Sequence, residues 1–155
     1  MIIKTNNKIR EISGTKGEIS HPEKVAAIFS TILNAESEVD RDKEHFWALG
    51  LNTRNNIKYI DLVSLGTLFA SLVHPRELYR LAVKEAVASI IAIHNHPSGD
   101  PEPSEEDKSI TKRIVEAGKI LGIQLLDHVI VTTNSNNFIS FKQKGYITKR
   151  HERYL

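Results

Sequence analysis

The stretch "IIAIHNHPSGDPEPSEEDKSI", residues 90–110, turns from wholly apolar to histidine-rich and then to proline-rich and acidic. Its first residues are β-branched except for Ala92 and end at Asn95 and Pro97, which reads as a short, fully buried strand rather than further helix. The loop "PSGDPEP" contains three prolines, which fix φ, and one glycine, which permits a left-handed turn, so it is suited to fold back compactly. From Ser104, "SEEDKSITKRIVEAGKILG" places Ile110, Ile114, Ala117 and Leu121 at helical spacing and ends on Gly122 as a C-terminal stop. The loop therefore leaves the carboxyl end of a buried strand, the usual place for ligands in a sheet covered by helices.

The rest of the chain extends this pattern in both directions. Residues 20–34 carry Val25, Ile28, Phe29, Ile32 and Leu33 on one helical face, with Pro22 in the first turn and Ser20 and Glu23 spaced as a capping box. "AESEVDRDK" is polar and unpatterned, and reads as a loop. "EHFWALGLN" reads as a buried strand with Trp47 in the core, "TRNN" as a turn, and "IKYIDLVSLG" as an antiparallel partner. A helix over "HPRELYRLAVKEAVAS" opens at His74 and Pro75 and turns Leu78, Leu81, Ala82 and Ala86 to one side. "IQLLDHVIVTT" and "NFISF" are the last strands, parted by "NSNN". The order α, β, β, α, β, α, β, β predicts an α/β single domain over residues 1–155, a mixed sheet flanked by helices.

Composition narrows the function classes. The chain has no cysteine, which excludes disulfides and thiolate metal sites, so any metal must sit on His, Asp or Glu. That absence also excludes a nucleobase deaminase, whose zinc needs a Cys-x-x-Cys pair. Its 21 basic and 19 acidic residues give +2, too small an excess to indicate nucleic-acid binding by bulk charge. A local excess in "KQKGYITKRHERYL" (Lys142, Lys144, Lys149, Arg150, Arg153) reads as a solvated basic tail over 148–155. "HERYL" begins like a His-Glu-x-x-His zinc helix, but Leu155 stands where the second histidine belongs. No apolar run is long enough for a membrane span and the N-terminus lacks a secretory pattern, so a cytoplasmic protein is expected.

Side chains alternate along a strand, so His94 and His96 point the same way, with Cβ atoms roughly 6 to 7 Å apart. Two imidazoles so placed can converge on one ion, and catalytic zinc takes three protein ligands plus water. Asp107, in the first turn of the next helix, is the candidate third ligand. Each residue also has a plain structural reading. Ser104 and Asp107 fit a helix capping box, and either histidine can be a hydrogen-bonded strand-end residue. Asp100, Glu102, Glu105 and Glu106 read as solvated charges. Asp127 and His128 are adjacent on one strand and face opposite ways, so they serve either as hydrogen-bonded structural groups or, for one of them, in orienting a ligand.

"HNHPSGDPEPSEED" matches the JAMM motif of the JAB/MPN metalloproteases, His-x-His-Pro-x6-Ser-x2-Asp, at every defined position. "LVHPRELYRLAVKEAVASIIAIHNHPSGDPEPSEED" and "LGIQLLDHVIV" resemble the JAB domain of bacterial RadC proteins, over about residues 40–147. The resemblance implies a JAB/MPN, cytidine deaminase-like architecture with zinc held by His94, His96 and Asp107. It implies further that Ser104 hydrogen-bonds the oxygen that becomes negative during attack on a carbonyl. The family's general base is a glutamate near the start of the first core strand, where Glu44 stands here. Hydrolysis of a peptide or isopeptide bond follows as the expected reaction, with a peptide or protein as substrate. The alternative is a catalytically silent RadC-like module with a structural metal site, acting in DNA repair or related transactions. RadC proteins also carry an N-terminal helix-hairpin-helix region, and the roughly 40 residues before the first core strand are too few for it, so direct nucleic-acid binding is not expected.

Overall fold

The computed structural model describes the backbone of residues 2–5 and 8–11 and, with side chains, residues 17–66, 73–133, 135–148 and 154. The elements run β1 (Ile2–Thr5), β2 (Lys8–Glu11), α1 (Pro22–Asn34), α2 (Glu38–Arg41), β3 (His45–Leu51), β4 (Ile57–Leu65), α3 (Pro75–Lys84), β5 (Ser89–His96), α4 (Glu105–Leu121), β6 (Gln124–Thr132) and β7 (Phe138–Ser140). Among the described residues seven strands form one mixed sheet in the order β2-β1-β4-β3-β5-β6-β7. β3 is antiparallel to both β4 and β5, whereas β5 and β6 are parallel and joined through α4.

Period-two alternation along β3 sorts its side chains onto two cores. Trp47, Leu49 and Leu51 meet Val25, Phe29, Ile32 and Leu33 of α1 on one face, while Phe46 and Ala48 meet Leu78 and Ala82 of α3 and Ile110 and Ile114 of α4 on the other. Every residue of β3 is buried, as a strand between two helical layers must be. Each fully buried aliphatic or phenyl side chain in these layers contributes about 1.5–3 kcal/mol relative to exposure. The α/β single domain with a mixed, helix-flanked sheet is the expected one.

Several local expectations are corrected. His21, with extended backbone, is the N-cap of α1 and makes no side-chain cap, so Ser20 and Glu23 form no capping box; Ser20 Oγ contacts His21 Nδ1 instead, at 2.8 Å. The polar segment after α1 contains α2, whose start is capped by Ser37 Oγ accepting from Asp40 N at 3.2 Å. α3 stops at Lys84, and Ala86 lies beyond it at φ +51, where the chain turns sharply so that Val87 N donates to Ala82 O. The buried stripe of α4 runs through Asp107, Ile110, Thr111, Ile114 and Gly118, leaving Leu121 exposed. Gly118 sets that rotation, because a Cβ there would lie 2.4 Å from both Tyr79 Oη and Ile123 O. The N-terminal strands β1 and β2 were not expected.

The basic C-terminal segment is not uniformly solvated. Lys142 and Tyr154 are buried, the lysine Nζ donating to the Tyr154 carbonyl and lying over its ring. Lys149, Arg150 and Arg153, and residues 67–72 between β4 and α3, lie outside the described residues. Among the described residues no helix is long and apolar enough to cross a membrane.

Candidate metal centre

β5 presents His94 and His96 on the face covered by α4, with their Nε2 atoms 2.9 Å apart. Asp107 reaches both: Oδ1 lies 3.3 Å from His94 Nε2, and Oδ2 lies 3.2 Å from His96 Nε2. The three side chains singled out from their spacing are therefore brought together, and His94 and Asp107 are buried.

Local structure explains how Asp107 arrives there. Ser104 is the N-cap of α4, its Oγ accepting from Asp107 N at 3.1 Å while its own N–H donates to Asp107 Oδ2 at 2.9 Å. The capping box and the proposed ligand set are thus the same carboxylate, since the cap aims Asp107 back towards β5. Ser104 Oγ receives a hydrogen bond, which leaves its own O–H hydrogen to donate elsewhere. The loop before it folds back as its prolines and glycine suggest: Gly99 adopts φ +88 with its N–H on His96 O, and the Asp100 carbonyl lies 2.9 Å from His96 Nδ1.

Glu44 stands just before β3. Phe46 pairs with His94, so continuing that register by two residues sets Glu44 across from His96. Glu44, His94 and His96 each offer a ligand-type atom within 4.8 Å of the others. Partial burial raises the Glu44 carboxyl above the usual carboxylate range, opposed by the nearby His96 and reinforced by Asp107.

The electrostatics of the cluster call for a positive charge. A carbonyl only accepts, so His96 Nδ1 donates to Asp100 O, and a neutral His96 ring then turns the bare Nε2 towards Asp107 and His94. Such electron pairs repel unless a proton or a metal cation lies among them. In the metal-free protein a proton serves: burial disfavours it on His96, but the Asp107 carboxylate and the Asp100 carbonyl outweigh burial and raise its pKa. Burial lowers the pKa of His94 despite Asp107. Asp107 itself is held well below the usual carboxylate range, burial being overcome by the two imidazoles that face it and by the hydrogen bond from Ser104 N–H. Two imidazole nitrogens and a carboxylate oxygen are a donor set of catalytic zinc, whose tetrahedral ligands lie about 3.3 Å from one another. The two nitrogens lie 2.9 Å apart and each has one oxygen of the Asp107 carboxylate at 3.2–3.3 Å, Oδ1 beside His94 and Oδ2 beside His96, so the three side chains have the chemistry and the closeness to share one ion.

Sequence reasoning left His128 and Asp127 open between two roles, and the structure separates them. An irregularity in the β5–β6 pairing, where Ile90 faces Leu125 but Ile91 faces Asp127, inserts one residue and turns His128 towards the metal centre. His128 Nε2 lies 2.7 Å from His94 Nδ1, and its Nδ1 lies 2.6 Å from Thr111 Oγ1. Burial lowers the pKa of His128 far below that of a free imidazole. Asp127 faces the other way, accepting from Ser140 Oγ, Tyr154 Oη and the backbone N–H groups of His128 and Lys142. Thr111 was missed altogether. Its position four residues after Asp107 on the helix face was the available signal.

The sheet, the His-x-His turn and the returning aspartate define a JAB/MPN-class α/β domain. Residues 19–146 match the family model described as RadC-like JAB domain, and the chain belongs to that family. Similar curated proteins include UPF0758 proteins of Desulforamulus reducens (54% identical over 108 residues, 70% of this chain and 47% of that protein) and Geobacillus kaustophilus (53% over 105 residues, 68% and 46%). Another, from Listeria monocytogenes serotype 4b, is 55% identical over 104 residues, 67% of this chain and 46% of that protein. The chain thus spans about half the length of the curated relatives it matches.

Proposed function

We propose that this domain is a zinc-dependent hydrolase of the JAMM class that cleaves a peptide or isopeptide bond. The observation that carries the reading is the convergence of His94, His96 and Asp107, with the Glu44 carboxyl beside the two imidazoles. A zinc ion bound by those three residues would polarise the substrate carbonyl and lower the pKa of water towards about 7.

The chain's own residues supply the remaining chemistry. Glu44, with its proton affinity raised by burial, takes a proton from the attacking water at its carboxylate oxygen and hands it to the leaving amine. Ser104, whose Oγ is fixed by the Asp107 N–H, donates its hydroxyl hydrogen to the carbonyl oxygen as negative charge develops there, an effect typically worth about 2.7–4 kcal/mol. His94 and Asp107 are buried, which keeps the ligand atoms out of bulk water.

A panel of fluorogenic peptides and lysine-linked isopeptides, assayed with the zinc-loaded full chain, tests this. Glu44→Gln should retain zinc and lose turnover. Zinc binding without turnover of any substrate in the wild type would instead favour a silent module with a structural metal site.

A further inference from the structure

A single hydrogen-bonded path runs behind the metal centre. Thr111 Oγ1 lies 2.7 Å from the Asp107 carbonyl oxygen, one helical turn earlier, and 2.6 Å from His128 Nδ1; His128 Nε2 lies 2.7 Å from His94 Nδ1. All three side chains are buried, so no bulk water competes for these contacts.

The direction of every bond in that path follows from its first member. A hydroxyl has one hydrogen, and the Asp107 carbonyl can only accept, so Thr111 donates to it. Thr111 Oγ1 must then accept from His128, which places the His128 proton on Nδ1. The fully buried His128 ring has Thr111 and His94 on its two nitrogens, neither of them an anion that could balance a charge. The ring is therefore neutral, His128 Nε2 is a bare acceptor and the proton between the two rings sits on His94 Nδ1. His94 Nε2 is left with its electron pair facing His96 and Asp107. The reverse orientation would turn a hydroxyl electron pair onto the Asp107 carbonyl and place a hydrogen on the very nitrogen that faces the centre.

We infer that His128 and Thr111 are positioning residues that lock His94 in the Nδ1–H tautomer, so that its Nε2 is a ready-made metal ligand before any ion arrives. The same path ties this lock to the turn of α4 that carries Asp107, so two ligands from different elements are registered to each other. The phenyl ring of Phe141, stacked on His128 at 4.5 Å, and that of Phe46, stacked on His94 at 5.7 Å, hold the two rings against rotation. The inference rests on the metal-centre reading for its purpose, but the tautomer is a property of the metal-free chain.

Two measurements on the full chain test it. In metal-free protein with nitrogen-15-labelled histidine, long-range nitrogen–proton correlation spectra should show His94 protonated on Nδ1, and Thr111→Val should convert it to a mixture of tautomers. Zinc affinity, read by competition with a chelator, should fall about 10–100-fold in His128→Leu. It should be largely restored in His128→Gln, whose side-chain oxygen can accept from His94 Nδ1, whereas a role in packing alone would not separate Gln from Leu. Thr111→Val keeps the side-chain shape and should fold even if His128→Leu does not. Finding His94 protonated on Nε2, or wild-type zinc affinity in both Thr111→Val and His128→Leu, would overturn the inference. If the wild type binds no zinc, the metal-centre reading falls, and the His94 tautomer still decides this one.

Discussion

Asn95 grips the main chain on both sides of Glu44. Its Oδ1 accepts from His45 N at 2.6 Å and its Nδ2 donates to Lys43 O at 3.0 Å, so the peptide units flanking the proposed base are pinned to the strand that carries the proposed ligands. Asn95 faces away from the metal centre, between two histidines that face it. One strand therefore sets two of the three proposed ligands with one face and the proposed base with the other.

Asn95→Ala leaves the buried His45 N–H and the Lys43 carbonyl without this partner, at a cost of about 1–3 kcal/mol in stability. Urea unfolding should show that loss, and hydrogen exchange should show lost protection at the His45 amide. Zinc affinity should change little, because His94 and His96 keep their own contacts. Unchanged His45 protection would refute the clamp.

Metal affinity should fall as pH falls, with the transition set by His96. A proton and a metal compete for the His96 Nε2 electron pair. Since the metal-free protein raises this pKa above that of an ordinary imidazole of about 6.5, the competition begins above that pH. Affinity is full above the His96 pKa and drops about tenfold per unit below it, one proton leaving for each ion bound. His94, whose pKa burial lowers, takes up its proton only at lower pH than His96. Calorimetry in buffers of different ionisation enthalpy counts that proton, and zero proton release near pH 6 would contradict the assignment.

On the opposite face, Tyr154 is tied to β6 through Asp127. Tyr154 Oη donates to Asp127 Oδ2 at 2.7 Å and Ser140 Oγ donates to the same oxygen at 2.6 Å, while burial pushes that carboxyl up against the pull of its donors. Tyr154→Phe should cost about 1–3 kcal/mol, and Asp127→Ala, which strands several donors, about 3 kcal/mol or more. Denaturant midpoints of the two variants and their double mutant measure the coupling. A Tyr154→Phe loss below about 0.5 kcal/mol would show that the Tyr154–Asp127 hydrogen bond contributes nothing to stability.

The centre was legible where short-range rules suffice. The period of two brings His94 and His96 to one side, and the helix start at Ser104 turns Asp107 back, so one capping pattern served both readings of that carboxylate. Glu44 was reached only through family resemblance, because its place opposite His96 depends on the β3–β5 register, which no local pattern encodes. Which of Asp127 and His128 faces the centre is decided by one inserted residue in β6. The burial of Lys142 was hidden for another reason: a charge run reads as solvated unless a carbonyl and a ring are known to enclose its first member. Strands β1 and β2 have four residues each, too few for alternation to stand out.

Zinc titration of the metal-stripped full chain, set beside a His94→Ala, His96→Ala double variant of verified fold, bears most directly on the three-residue centre. The wild type should take up a single equivalent of zinc and the double variant none. Equal metal uptake by both proteins would contradict the account at its root.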